Sequence, residues 1–355
     1  MKDLIKRLTE TFGPSGSEGP IREVIRKEVE PYVDEIRVDA LGNFICFKKG
    51  SGGGKKVILD AHMDEIGAIV THIDENGFLR FANIGGVSPV ISLGQRVYFE
   101  NGTFGVIGCE KLDDIKDLKL EKLYIDIGAA SREEASKKVK VGDMAAFFQP
   151  AIDLGNRMVA KAMDDRIGCV VVIEVLKRLK QTAHDIYAVF ASQEEVGLRG
   201  ARVAAYGINP DVGIAFDVTG TGDTPKSHTM DVSLGKGAAI KVKDSSLICH
   251  PGLRDYLVKL AEENGIPYQM EVLERGGTDS GAIQLTRAGI PAGVISIPSR
   301  YIHSPCEMVD LGDVEACVKL CVAACESPLD SAAPRAGQAG HRIRGRIREG
   351  VSPFS

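Results

Sequence analysis

What most constrains this chain is an interruption in its pattern. Short, continuously apolar runs followed by helix-patterned segments occupy both ends, and the stretch between them has another character. VILDA (57–61) is the kind of run expected of a parallel strand buried on both faces. From about 69 to 157 the pattern shifts to brief β-like pieces (AIVTHI, FLRFANI, RVYFE, FGVIGC, LYIDI, MAAFFQP) punctuated by Gly, Asn and Pro. Only SREEASKKV (131–139) looks helical there. Alternation then resumes: helix over 165–181, strand 185–192, helix 198–207, strand 211–218, helix 250–265, strand 268–273, helix 278–289, strand 291–298 and a closing helix over 311–326. This pattern predicts an α/β fold, a mostly parallel-sheet α/β/α domain made of residues 1–68 and 158–326. A small β-rich, barrel-like domain (69–157) is inserted into it.

The first segments fit that frame. Residues 2–12 read as an amphipathic helix rather than a signal peptide. Gly13-Pro14-Ser15-Gly16 breaks it, and a second helix runs to about Val33 with Pro20 in its first turn. EIRVDA (35–40) and NFICFKK (43–49) flank Leu41-Gly42 as a hairpin. GSGGG (50–54) is not a phosphate-binding loop, because Gly54-Lys55 is followed by Lys56 where Ser or Thr is required.

Composition removes several functions. Lys+Arg number 44 against 49 Asp+Glu, a net charge of −5, so no nucleic-acid partner is expected. Five Arg against Asp330 and Glu349 give residues 327–355 a charge of +3, leaving −8 for 1–326. With its Gly, Ala, Ser and Pro content, 327–355 is expected to be a disordered basic tail. No run of about 18 apolar residues exists, so no membrane span is expected. The eight Cys include no CxxC pair. Cys317, Cys321 and Cys325 recur every four residues and read as a buried helix face, and a reducing cytoplasm suits them.

Chemistry concentrates where ligands bind in open α/β sheets, at the carboxyl ends of the strands. His62-Met63-Asp64 follows VILDA, Gln193-Glu194-Glu195 follows DIYAVFAS, DVGIAF ends in Asp217, and His303 follows PAGVISIP. Asp164-Asp165 precedes a helix. Singly, each of these has a bland explanation as a turn or a cap. Together they place imidazoles and carboxylates at one sheet edge, a donor set suited to Zn²⁺, Co²⁺ or Mn²⁺. Two His and three carboxylates suffice for a two-metal site with one bridging carboxylate. The adjacent Glu194 and Glu195 can divide metal binding from proton transfer. In His62-x-Asp64 the carboxylate can hold the second ring N–H of the imidazole.

Six blocks in order, HMDEIG (62–67), AKAMDDRIG (160–168), ASQEEVGLRGA (191–201), AFDVT (215–219), GGTDSGAI (276–283) and PSRYIHSP (298–305), resemble the signatures of the tetrahedral, glutamyl- or deblocking-type aminopeptidases. These are cytosolic co-catalytic metallopeptidases, and the resemblance covers about residues 1–326. It implies that His62 and Asp217 bind one metal, that Glu195 and His303 bind the other, and that Asp164 bridges them. Glu194 is then the general base and Asp64 the orienter of His62. It further implies a β insert acting as lid and dimerisation domain, and dimers assembled into a tetrahedral dodecamer. The tail beyond the last block departs from the family pattern.

His72 and His184 fall outside these blocks. Asp165 reads as support for the Asp164 turn and the following helix, and Gly276, Gly277, Thr278 and Asp279 either open a helix that lines the substrate pocket or form a simple turn and cap. Arg300 faces either an acidic substrate or a neighbour, with the neighbour favoured. The leading function is an exopeptidase that removes N-terminal residues from peptides. An N-acyl amidohydrolase with the same metals is the near alternative. A glycoside hydrolase, from the endoglucanase label some family members have carried, is disfavoured by the absence of Trp and by the two strand-end His. A non-enzymatic metal-binding scaffold leaves Glu194 without a role.

Overall fold

The computed structural model describes residues 1–329. The chain opens with helices α1 (Lys2–Glu10) and α2 (Gly19–Val29), then strands β1 (Glu35–Val38), β2 (Phe44–Lys48) and β3 (Lys56–His62). The insertion supplies β4 (Gly67–Ile73), β5 (Leu79–Ile84), the single turn α3 (Pro89–Ser92), β6 (Arg96–Phe99), β7 (Phe104–Cys109), β8 (Leu123–Asp126), α4 (Arg132–Lys138) and β9 (Met144–Phe147). The chain returns through β10 (Ile152–Asp153), β11 (Arg157–Ala160), α5 (Met163–Arg178), β12 (Asp185–Ala191), α6 (Arg199–Ile208) and β13 (Val212–Thr219). It continues with β14 (Ala238–Lys243), α7 (Pro251–Glu263), β15 (Tyr268–Val272), α8 (Asp279–Gln284), β16 (Ala292–Arg300), β17 (Glu307–Asp310) and α9 (Leu311–Glu326).

Eleven strands form one mixed sheet, and its spine runs β1-β2-β12-β3-β13-β16-β17-β11-β10. The centre, β12-β3-β13-β16, is parallel. Antiparallel pairs flank it on both sides, and β14 and β15 pair in parallel off β16. The apolar runs explain this order. Every residue of β13 is buried, as are the last six of β3, so both strands need helices on both faces. Alternate residues sort by face. Val57, Leu59 and Ala61 enter one core with helices α1, α2, α5, α7 and α9. Ile58 joins Val189, Ala204, Ala205 and Ile283 in a second core beneath α6 and α8. Cys317, Cys321 and Cys325 are buried on α9 in the first core, as the helix-face reading expects.

The six strands β4-β5-β8-β7-β6-β9 close into a barrel with its own core, including Leu79, Val97, Phe99 and Ile125. Closure leaves these short strands without a free edge. The barrel leaves the main sheet directly after His62, four residues before β4 begins. Its strands run from Gly67 to Phe147, whereas β10 and the start of β11, assigned on sequence to the insert, lie in the main sheet. Helix α8 is six residues long instead of the twelve expected; it ends at Gln284, and beyond its C-cap Leu285 the chain turns with positive φ at Arg287 and Gly289. Strands β14 and β17 were not expected. The basic tail lies, from Asp330 onward, outside the described residues.

One buried ion cluster ties the pieces together. The Glu65 carboxylate accepts from Lys161 Nζ at 2.5 Å and from the Gly13 N–H at 3.1 Å, and it lies 3.5 Å from Arg166. Arg166, fully buried, donates to the carbonyls of Leu8, Thr11 and Gly13, closing the end of α1. Lys161 also stands 5.7 Å from the Tyr98 ring centroid on the barrel. Removing one member of a buried ion cluster strands the others without water or partner. Glu65→Ala should therefore cost about 3–5 kcal/mol of stability, read as a drop in the urea midpoint. An unchanged midpoint would show that the cluster does not hold the barrel and α1 in place.

Candidate metal centre

The parallel strands end on one edge, and the predicted site residues meet there. His62 closes β3 in register with Ala191, the last residue of β12, so the Gln193-Glu194-Glu195 turn begins beside it. Asp217 sits near the end of β13. The turn after β16 brings in His303, and the irregular start of α5, where Asp164 and Asp165 have non-helical backbone angles, brings in Asp164. Several residues bracketing these side chains hold left-handed backbone: Ala162, Gln193, Leu198, Tyr301 and His303 itself. Such residues cost roughly 1–3 kcal/mol each and persist where surrounding contacts over-determine them.

Asp164 is the meeting point. One of its carboxylate oxygens lies 3.1 Å from His62 Nε2 and the other 3.3 Å from His303 Nε2. His303 Nε2 is also 3.2 Å from Glu195 Oε2. His62, Asp164 and Glu195 offer ligand atoms within 4.8 Å of one another. Glu194 Oε2 stands 3.9 Å from His62 Nε2. Asp217 lines the same cavity of about 660 Å³ as Asp164, Glu194, Glu195 and His303.

The charges show what the cluster lacks. Burial by itself lowers an imidazole, yet hydrogen bonding to Asp164 and Glu195 pushes His303 up to about 12. His62 is likewise raised, burial being outweighed by Glu194, Asp164 and Asp64. Burial pushes Glu194 and Asp217 well above the usual carboxylate range, with neighbouring acids adding to it. Asp164 moves the other way, because its two imidazoles outweigh burial. The cluster gathers four carboxyl groups around two imidazoles, and Glu195 Oε1 is buried without a hydrogen-bond partner. Divalent cations fit such a donor set.

Asp64 has more partners than sequence spacing indicated. Its carboxylate is 3.5 Å from His62 Nδ1, and its main-chain oxygen is closer, at 3.2 Å. The same carboxylate accepts from the N–H groups of Glu194 (3.0 Å) and Glu195 (3.2 Å) and from Ser15 Oγ (2.6 Å). Asp64 therefore holds the Glu194-Glu195 turn as well as facing His62. Its own carboxyl lies below the usual range, since His62 first, then Ser15 and the Glu194 N–H, outweigh burial.

Other residues at the site escaped the sequence reading. Buried Glu307 accepts the Asp164 N–H at 2.9 Å and the His303 N–H at 2.8 Å, pinning two candidate ligands to each other. Glu18 accepts from the Gln193 N–H at 3.2 Å. From the barrel, Gly85 and Gly86 press on Glu195 and His303. A Cβ at Gly85 would lie 2.9 Å from Glu195 Oε2, and one at Gly86 would collide with the His303 ring. No local spacing marks these residues, although the Gly-Gly pair is a visible cue for close approach.

The remaining candidates are structural. Asp165 accepts the Gly168 N–H and supports the first turn of α5. His184 bridges the Lys55 N–H and the Ser327 carbonyl, and His72 meets Arg132 on the barrel. Arg300 forms a two-bond pair with Asp223 at 3.0 and 2.7 Å, the neighbour reading. Gly276 and Gly277 line the cavity, and Thr278 takes the N-cap position of α8 while its hydroxyl donates to Asp244 rather than capping the helix.

The M42 glutamyl aminopeptidase family matches residues 42–320. A protein of Acetivibrio thermocellus is 55% identical over 325 residues, covering 91% of this chain and 98% of that one. An aminopeptidase structure from the archaeon Desulfurococcus kamchatkensis superposes with a TM-score of 0.91 at 42% identity, covering 96% of this chain and 98% of the other. The Pyrococcus horikoshii TET1 peptidase, described as assembling into a tetrahedron or a large octahedral shell, gives 0.81 at 35% identity over 91% of this chain and 98% of its own.

Glu307→Ala should leave the fold intact by circular dichroism yet weaken divalent-metal binding by roughly 10–100-fold, read by calorimetric titration with Zn²⁺. Unchanged affinity would separate Glu307 from the metal centre.

Proposed function

The chain belongs to the M42 glutamyl aminopeptidase family and is an aminopeptidase, and from that premise we propose that it removes N-terminal residues from peptides using two divalent ions per subunit. The observation that carries this reading is Asp164, which turns its two carboxylate oxygens to two different imidazoles. His62 and Asp217 would hold one ion and Glu195 and His303 the other, with Asp164 available to both. Zn²⁺, Co²⁺ and Mn²⁺ all suit the mixed imidazole–carboxylate set. When bound, the ions supply Lewis-acid polarisation of the scissile carbonyl and lower the pKa of water toward about 7.

Glu194 carries the proton. It takes it from the attacking water and delivers it to the departing amine. Its burial supports this role, because a carboxyl raised by desolvation holds a proton readily enough to return it. Asp64 fixes the backbone of Glu194 and Glu195, so that the base and the metal ligand stay in register. The closed barrel acts as a lid, which its Gly85-Gly86 contact with Glu195 and His303 supports. It also serves in dimerisation, with dimers building a tetrahedral dodecamer in the cytoplasm. Among the described residues no helix is long and apolar enough to cross a membrane.

Glu194→Gln should keep its full metal content and lose at least about 100-fold in kcat on leucyl-anilide. Chelation should abolish the wild-type activity, and Zn²⁺, Co²⁺ or Mn²⁺ should restore it. A metal-replete variant as active as the wild type would exclude Glu194 as the base. For the assembly, mass photometry is expected to give a particle near twelve times 38.1 kDa, and a lone monomer peak would count against the dodecamer.

A further inference from the structure

We infer that Lys241 is a positioning residue: through Glu271 and Asp244 it fixes three chain segments that wall the substrate cavity. The inference rests on the aminopeptidase reading above. Lys241 follows Ala238-Ala239-Ile240 on β14 and is fully buried. Glu271, in register with it on β15, is fully buried too, and Lys241 Nζ pairs with Glu271 Oε1. The Thr219 hydroxyl donates to the same oxygen at 2.7 Å. Glu271 Oε2 is buried without a hydrogen-bond partner, so Lys241 and Thr219 are the donors that answer this carboxylate. Asp244 Oδ2 lies 3.8 Å from Lys241 Nζ and accepts from the Thr278 hydroxyl at 3.0 Å. Asp244 Oδ1 accepts from the N–H groups of Ser246 (2.7 Å) and Leu247 (2.8 Å) and from the Ser246 hydroxyl (2.9 Å).

These bonds run outward to the cavity. Thr219, Ser245, Ser246, Leu273, Gly276 and Gly277 all line it. Thr219 ends β13, the two serines follow β14, and the other three join β15 to α8. The two loops also clasp each other: the Ser245 N–H donates to the Gly276 carbonyl at 3.0 Å, and the Thr278 N–H to Ser246 Oγ at 3.1 Å. The reacting groups have separate supports. Asp64 holds the Glu194-Glu195 turn, and Glu307 holds Asp164 and His303. Removing the Lys241 ammonium leaves a buried carboxylate on each of two neighbouring segments without its cation. Those carboxylates then draw away or admit water, and the loops they anchor move with them. A displaced wall weakens the hold on substrate and transition state alike, which raises KM and spares kcat.

Two variants of the full chain test this, each loaded with Zn²⁺ and assayed on leucyl-anilide. Lys241→Met should keep its metal content and a kcat within about twofold of the wild type, while KM rises about 10-fold. The double variant Lys241→Met/Glu271→Leu replaces the buried pair with apolar side chains. It should recover the melting temperature that Lys241→Met loses, because an apolar pair needs no compensation. It should not recover KM, because Thr219 and Asp244 still lack their partner. A purely structural role for Lys241 predicts the opposite, with KM returning alongside the melting temperature. If Lys241→Met does not fold, the double variant carries the test alone. A KM within about twofold of the wild type in the folded variant overturns the positioning role while the aminopeptidase reading stands. Loss of metal, or a kcat that falls further than KM rises, overturns it as well, since Lys241 would then act on the metal centre. If the metal-loaded wild type does not cleave leucyl-anilide, both readings are overturned.

Discussion

Asp164 sets the terms for the rest of the site. A buried carboxylate placed between two imidazoles is favoured in its ionised form, and its neighbours answer that charge. The imidazole pKa values are raised, while burial first and the neighbouring acids second raise those of Glu194 and Asp217. A bound cation would relieve both tendencies, because metal binding favours neutral imidazole and ionised carboxylates. The same excess of buried carboxylate that would destabilise an ordinary core becomes affinity for metal.

Holding that arrangement takes contributions from distant parts of the chain. Glu307, on a short antiparallel strand, ties the backbones of Asp164 and His303 together. Ser15, from the break between the first two helices, reaches Asp64, which in turn orders the Glu194-Glu195 turn. The Glu65–Lys161–Arg166 cluster fastens the same N-terminal segment and the barrel to the start of α5, next to Asp164. The barrel sits at the site because it departs from the end of the central strand, where Gly85 and Gly86 allow it to touch two candidate ligands. Left-handed backbone at His303 and its neighbours shows that position was favoured over local comfort.

Legibility in the sequence followed the range of the interactions. Strands buried on both faces announce themselves as continuous apolar runs, so β3, β12, β13 and β16 could be placed from composition alone. Residues at or just beyond the ends of those strands inherit their position, which is why His62, Glu194, Glu195, Asp217 and His303 could be nominated together, with Asp164 marked by the helix it precedes. Strand β14 and the four-residue β17 have no comparable signal, and α8 ends at Gln284 ahead of a turn with positive φ at Arg287, which no rule for that residue type anticipates. Glu307, Glu18 and Ser15 act through hydrogen bonds that span up to 175 residues, and nothing in their local sequence marks them.

The sequence by itself determined the α/β frame, the interruption by a β module and the chemical type of the site. Periodicity and donor identity are local properties of a chain. Tertiary structure alone decided that one carboxylate faces both imidazoles, that Asp64 serves the Glu194-Glu195 backbone, and that Arg300 is paired with Asp223. Those outcomes depend on distances between residues far apart in the chain. Only the packing of the sheet, its helices and the barrel sets such distances.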